Sequence, residues 1–386
     1  MNKAKYFLCN TLLLSFLIGA LMLAGCATTP KPEEQDDAVF YPDPPAPPRV
    51  QYLTSYTSST DVVSQSSAFD TFLTGEKEQG YHLVKPYGVA VTDGKIYVCD
   101  SQSTLVVFDI KNKRFHQMEG AKGRGKVVQP LNISMDEEGN RFVADTVRGE
   151  VLMYDKNDFY VKSFGVPGQW KPVDAVAYQG LLYAVDSKER EIKVFDIKSA
   201  EKITAFGRGN KPEENLGLPT GIAIGPDELL YISDSGRFQV VVYDRDGHQR
   251  SAIGRPGANL GHFARPRGVA VDRKGRVFAV DGAFENVQIF RNDGQLLLFF
   301  GGSGSGPGNL FLPADVFIDY DNIDLFKHYA DPNFDIESLI FVTSQFGDRL
   351  VNVYAFGTEK GRTYPSEEEL LEKTEEKLKL WQEKGK

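Results

Sequence analysis

Cysteine is nearly absent, with three in 386 residues, at positions 9, 26 and 99. The first two fall within an N-terminal leader, so Cys99 stands alone in the apolar segment KIYVCD. No intrachain disulfide is available to the folded body, and its core must supply the stability. No C-x-x-C-H occurs, which excludes covalently attached haem. The five histidines, His82, His116, His248, His262 and His328, are scattered, whereas a zinc centre needs several convergent nitrogens. Basic clusters are also missing: 44 Lys and Arg stand against 53 Asp and Glu, for a formal charge of −9, and this disfavours a nucleic-acid partner. Past residue 23 no run approaches the roughly 20 apolar residues that span a bilayer.

The leader itself is well marked. Lys3 and Lys5 form its positive end, Tyr6 to Leu23 its apolar run, and Leu23-Ala24-Gly25-Cys26 its cleavage box. That box resembles the bacterial lipobox, in which small residues fit the peptidase and the cysteine thiol takes a diacylglyceryl group. Residues 1–26 are therefore expected to be a lipoprotein signal peptide, with Cys26 the acylated, palmitate-bearing first residue of the mature chain. An uncleaved anchor or an ordinary secretory signal are the other readings. Loss of Lys3 and Lys5 with the leader takes the formal charge from −9 to −11. Ala27, where an aspartate would signal retention, resembles an outer-membrane destination, periplasmic or cell-surface. Residues 27–48 (ATTPKPEEQDDAVFYPDPPAPP) are rich in proline and acid and read as a semi-extended tether of about 3.1 Å per residue.

The body of the chain repeats itself. A proline opens a short apolar segment and an aspartate closes the next one: Pro86/Asp100, Pro130/Asp145, Pro172/Asp186, Pro219/Asp234 and Pro266/Asp281. A sixth unit opens at Pro313 with Ser344 in the aspartate's place, and the prolines recur every 42 to 47 residues. That is the period of one four-stranded propeller blade. In the fourth unit GIAI, LLYIS, QVVVYD and HQRSAI are separated by Gly225-Pro226-Asp227, Asp234-Ser235-Gly236 and Asp246-Gly247, which predicts an antiparallel meander. Phe108, Tyr154, Phe195, Tyr243, Phe290 and Tyr354 recur eight to ten residues after each closing residue and are expected to fill the space between blades. The fold class expected is all-β, a six-bladed β-propeller over residues 49–357. An open ring would expose two strand edges, so residues 49–63 are expected to supply a strand that closes the last blade.

The glycine-bearing linkers, the P-x-G-[IV]-A-[IV] openings and the closing aspartates together resemble the NHL repeat over about residues 85–357. The match is closest in units one, four and five, and looser in two (PLNISM), three (PVDAVA) and six (PADVFI). NHL domains are six-bladed propellers. Together with the lipobox, the PRVQYL start and the LIFVT and VNVYAFG finish, the pattern is similar to NHL lipoproteins found alongside multihaem c-type cytochromes. The resemblance implies a protein-binding scaffold or assembly factor at the cell envelope, with an electron-transfer or export assembly as partner.

In an antiparallel meander the d–a linkers and b–c turns share one face of the ring. The aspartates lie there and are expected to cap turns, accepting backbone N–H groups. The residues after each proline are better placed to line the channel mouth: Tyr87, Leu131 or Asn132, Val173 or Asp174, Thr220, Arg267, and Ala314 or Asp315. Peptidyl-amidoglycolate lyases, which are NHL propellers, place metal-binding histidines near this level, and no histidine immediately follows a blade-opening proline here. Gluconolactonase-like propellers hold calcium with an acid and asparagines. Asn132, Asp174 and Asp315 resemble part of that set, while the family's opening glutamate motif is missing. No catalytic residue, cofactor or metal is assigned, and a calcium- or zinc-dependent hydrolase or lyase at the channel mouth is the alternative function. Small-ligand sensing is a third.

Two segments depart from the repeat. In unit six, Asp321 to Ser338 is an insertion in the a–b loop, whose Phe326, Tyr329 and Phe334 suit a docking surface or a local mini-core equally. Its Asp331-x-Asn333-x-Asp335 has Ile336 where a calcium loop wants glycine, so a solvated acidic loop is the expectation. Residues 358–386 end in PSEEELLEKTEEKLKLWQEKGK, where Ser366 suits an N-cap and Leu371, Thr374, Leu378 and Trp381 share one helical face. An amphipathic helix is expected, packed on the propeller or meeting a partner through Leu371, Leu378 and Trp381.

Overall fold

The proline and aspartate that mark each repeat are direct partners across the first strand pair. In the computed structural model, which describes residues 38–63, 80–102, 104–209 and 215–364, Pro86 stands opposite Asp100 and Pro130 opposite Asp145. Pro172 likewise meets Asp186, Pro219 meets Asp234, Pro266 meets Asp281, and in the sixth unit Pro313 meets Ser344. Each unit is a four-stranded antiparallel blade, lettered a to d from the inside outward. Blade four, for example, runs Pro219–Ile224, Leu230–Asp234, Gln239–Tyr243 and Gln249–Ile253. The a strands of successive blades touch one another in a closed circuit, blade six returning to blade one, and so surround the channel.

Burial follows from this placement. Strand b has a neighbouring blade on both faces, so Val277–Asp281 and Leu230–Asp234 are buried throughout and read as continuous apolar runs. Strand d lies outermost, and Gln249–Ile253 is exposed at all but its last residue. Six apolar clusters result, one for each interface between adjacent blades. The recurring aromatics sit in them as expected: Phe108, Tyr154, Phe290 and Tyr354 are fully buried. A ring of that size removes about 150–250 Å² from water, which stabilises each interface by several kcal/mol at roughly 25 cal/mol per Å². Cys99 lies in the cluster between blades one and two, where burial raises its thiol pKa well above the usual value.

Blade six closes the ring as the sequence predicts. Its strands a to c are Pro313–Asp319, Phe334–Ser344 and Val351–Glu359, and Val50–Tyr56 pairs antiparallel with the third, Tyr52 opposite Tyr354. The chain is thus a six-bladed NHL-type propeller whose N-terminal strand completes the last blade. The β-structure begins earlier than composition suggested. Phe40–Tyr41, inside the stretch read as a tether, adds a fifth strand against Val50 and Gln51. Tyr41 donates to the Gly308 carbonyl at 2.8 Å, and Phe40 and Tyr41 meet the rings of Phe334 and Phe300 at 5.8 and 6.2 Å. Two aromatics suffice here because a blade edge is already present to receive them. Strand c also runs on to Glu359, past the expected boundary at 357.

The insertion in blade six begins with a short helix, Ile323–Phe326, continued by a 3₁₀ turn over Lys327–Tyr329. Among the described residues no helix is long and apolar enough to cross a membrane. Cys26 and the tail bearing Leu371, Leu378 and Trp381 lie outside the described residues.

Candidate functional site

Every strand a has a register irregularity just after its proline, at the level where the channel opens. The shift falls between Pro86 and Val89, Pro130 and Asn132, Pro172 and Asp174, Pro219 and Gly221, Pro266 and Val269, and Pro313 and Val316. A bulge of this kind re-aims side chains that a regular strand would alternate between its faces. Two residues per blade stand at the bulge, Tyr87-Gly88, Leu131-Asn132, Val173-Asp174, Thr220-Gly221, Arg267-Gly268 and Ala314-Asp315 in blade order.

The second of these positions forms the inner ring. Asn132, Asp174 and Asp315 are each buried there, and the Asn132 side chain hydrogen bonds to both carboxyls. Asp174 accepts N–H groups from Ala175 in its own blade and Ile222 in the next, both at 2.8 Å. Asp315 accepts the Val89 N–H of blade one at 3.1 Å, while its own N–H is held by Thr343 Oγ1 at 3.1 Å. Thr343 in turn donates to the Tyr87 carbonyl. Glycine in the adjoining blades makes this possible: a Cβ at Gly88 would stand 2.2 Å from Asn132 Oδ1, and one at Gly268 2.4 Å from Asp315 Oδ1.

Burial pushes the Asp315 carboxyl up to about 7, against the hydrogen bonds it accepts. Asp174 is pushed well above the usual range by burial first and then by the negative charge of Asp315. Two carboxyls coupled in this way do not both ionise readily near neutrality, and they titrate as a pair. The geometry can therefore hold a proton or a hard cation between oxygen donors.

The first bulge positions form the mouth. Tyr87, Leu131, Val173 and Thr220 each keep partial exposure, whereas Arg267 is 7% exposed and Ala314 fully buried. The Arg267 guanidinium lies 5.8 Å from the centre of the Tyr87 ring. Thr220 Oγ1 reaches the backbone carbonyls of Ser233, Pro266 and Arg267 at 3.2–3.3 Å, so it ties blade four to blade five. Of the six channel candidates, the structure brings Asn132, Asp174 and Asp315 into one group and Tyr87 and Arg267 into another. Thr220 serves the backbone.

The closing aspartates act as turn caps. All five are fully buried. Asp234 accepts from Gly217 and Leu218 in the linker before its blade, both at 2.7 Å, and from Gly236 and Arg237 in the b–c turn at 2.9 and 3.1 Å. Each carboxylate thus clamps a d–a linker to a b–c turn. In blade six Ser344 holds the Phe311 N–H at 3.2 Å, and Glu285, borrowed from blade five, takes the Leu312 N–H at 3.0 Å.

The clamped linkers and turns carry most of the large apolar side chains exposed among the described residues, which reading the repeat for its shared positions did not reveal. Of fourteen exposed large apolar side chains among the described residues, nine lie on d–a linkers or b–c turns: Val84, Val128, Val147, Val166, Leu218, Phe238, Leu260, Phe311 and Phe346. They gather on the aspartate face. Phe311 and Phe346, 48% and 44% exposed, meet edge to face at 6.1 Å beside a shallow cavity of about 300 Å³ that Asn309 and Arg349 also line. Lys85 Nζ stands over the Phe346 ring at 5.6 Å. A usable signal existed: in blades one, two and six the residue two before the opening proline is Val84, Val128 and Phe311.

The insertion is no docking surface of three aromatics. Phe326 and Phe334 are 1% and 5% exposed, and Phe326 packs edge to face on Phe341 at 5.5 Å and Tyr56 at 6.4 Å. They form the mini-core that joins blade six to the N-terminal strand and blade one, and only Tyr329 stays exposed, at 44%. Among the described residues, Asp244, Asp246 and His248 cluster in the exposed c–d turn of blade four, where Arg250 already pairs with Asp244 at 2.6 Å.

Known proteins are similar to this chain in sequence or in fold. NHL repeat-containing protein 2 of Bos taurus is 28% identical over 151 residues, which are 30% of this chain and 21% of that protein, so the chain spans about a fifth of the relative's length. A structural genomics protein of unknown function from Bacteroides thetaiotaomicron superposes over 80% of this chain and 75% of its own, with a TM-score of 0.54 and 14% identity. A gluconolactonase from Xanthomonas campestris covers 79% of this chain and 98% of its own, with a TM-score of 0.49 and 14% identity. Residues 91–298, more than half of the chain, match the family described as SMP-30/Gluconolactonase/LRE-like region, and the chain belongs to that family.

Proposed function

We propose that this chain is a membrane-anchored, extracytoplasmic propeller that binds another protein through its aspartate face. The observation that carries this reading is the gathering of nine exposed apolar side chains on the linkers and turns of one face. Apolar exposure concentrated in this way marks interaction surfaces, and an aromatic pair flanked by a cation suits an anchoring hot spot. The leader ending at Cys26 supports a lipid anchor bearing palmitate, and Ala27 supports the outer membrane as its location. The resemblance to lipoproteins found alongside multihaem cytochromes supports an electron-transfer or export assembly as the partner, and the net charge of −9 favours a basic one. Affinity capture from envelope extract with the anchored protein tests this, using wild type and a Phe311→Asp/Phe346→Asp variant. The expected result is a stoichiometric partner, with haem absorbance in the eluate, that wild type retains and the variant loses. Identical captures by both proteins would overturn the reading.

A second reading, a metal-dependent hydrolase or lyase, is favoured by the convergence of Asn132, Asp174 and Asp315, and a gluconolactonase appears in the family's description. Two carboxyls and an amide are hard oxygen donors of the kind calcium takes, and they lack the nitrogens and sulfurs of zinc sites. These three residues would hold the ion, which would supply polarisation of a substrate carbonyl. Metal analysis of the purified protein separates the readings: an ion lost on Asp174→Asn favours the enzyme.

A further inference from the structure

Among the described residues Arg267 is a buried cation without an ion-pair partner. Its side chain passes Gly282 of its own b–c turn, where a Cβ would stand 2.8 Å from Nε, and reaches toward Tyr87 of blade one. Blade six, lying between, contributes only the small Ala314 at the equivalent position. Among the described residues the Arg267 Nη1 atom is buried with no hydrogen-bond partner, and no acid forms an ion pair with the guanidinium. Other buried arginines have an acid partner: Arg141 pairs with Asp158 at 3.0 Å, and Arg276 with Asp272 and, at 2.6 Å, Glu337. Burial lowers the proton affinity of Arg267. Tyr87 and Asp281 offset this in part, and the exposed Arg265 works against them with a second positive charge. A buried charge in this condition is costly unless something completes it.

We propose that Arg267 receives the carboxylate of a small monoanionic ligand that enters the channel mouth from the aspartate face. A guanidinium presents N–H donors in the planar fork that a carboxylate matches. Tyr87 lies beside it, and the same level of the channel carries the partly exposed Leu131 and Val173, which suit a short apolar body. A single guanidinium balances a single negative charge, and a phosphate dianion would bring a second, uncompensated charge into a buried site. The site uses none of the side chains assigned to protein binding or to the inner ring.

The test is thermal melting of the full chain in detergent, titrated with sodium butyrate, with sodium phosphate and sodium chloride at matched ionic strength as references. Butyrate is expected to raise the melting temperature saturably by a few degrees, as linkage to the folded state requires, and the references to leave it unchanged. Arg267→Met, which removes the unmatched charge, should melt at or above wild type without ligand and ignore butyrate, while Arg267→Lys keeps a weakened response. The proposal is overturned if wild type shows no saturable response, if phosphate acts as well as butyrate, or if Arg267→Met responds like wild type. A lower melting temperature for both variants without ligand would also overturn it, because Arg267 would then be structural.

Discussion

The side chain of Asp315, in the last blade, accepts the backbone N–H of Val89, in the first, at 3.1 Å across a sequence separation of 226 residues. One carboxyl therefore joins the two ends of the repeat at the channel while sharing Asn132 with Asp174.

This pair makes stability depend on pH in a set direction. An aspartate titrates near 3.9 in an unfolded chain, whereas burial pushes Asp315 up to about 7 in the fold. Between roughly pH 4 and 7 the folded state holds the extra proton, so this contribution is complete below pH 4 and is lost as pH rises through 7. Asp315→Asn should remove it, and the variant should gain on wild type by a few kcal/mol between pH 5 and 8. Urea unfolding of both proteins across that range checks this. A difference that stays constant with pH would show that the carboxyl is ionised throughout.

Asp234 holds four backbone N–H groups from two separate loops. Asp234→Ala leaves those donors without their acceptor and is expected to destabilise the protein by about 2–4 kcal/mol. Asp234→Asn, which keeps one acceptor oxygen, should cost less. Denaturant midpoints of the two variants report the order, and equal losses would count against the clamp.

Deleting residues 49–63 removes the strand that pairs Val50 to Tyr56 with Phe356 to Val351, together with Val50, Leu53 and Tyr56 from two interface clusters. Blade six then has an open outer edge. The cooperative melting transition is expected to disappear, and an intact sharp transition in calorimetry would contradict the closure as described.

The architecture was readable because a repeat states its fold many times. The period of the prolines, the turn residues and the recurring aromatics each predicted something local, and burial of Phe108 or Tyr243 at an interface follows from that period alone. The aspartates, too, were legible as caps, since five copies at one position point to a shared structural task. Asn132, Asp174 and Asp315 could be nominated from their place after the proline, but their convergence could not. It depends on bulges at that level and on Gly88 and Gly268 standing aside in neighbouring blades. The insertion stayed open between a docking surface and a mini-core, because Phe326 and Phe334 become core only when the N-terminal strand, over 260 residues earlier in sequence, brings Tyr56 and Phe40 to them.

By itself the sequence determined the six blades, their closure by an N-terminal strand and the level at which the channel opens, because each follows from local periodicity and the need to pair strand edges. Only the tertiary structure decided which side chains share the channel, that Arg267 has no ion-pair partner among the described residues, and that most of the exposed apolar residues described collect on one face. Those relations arise between blades, where ring closure sets residues far apart in sequence side by side.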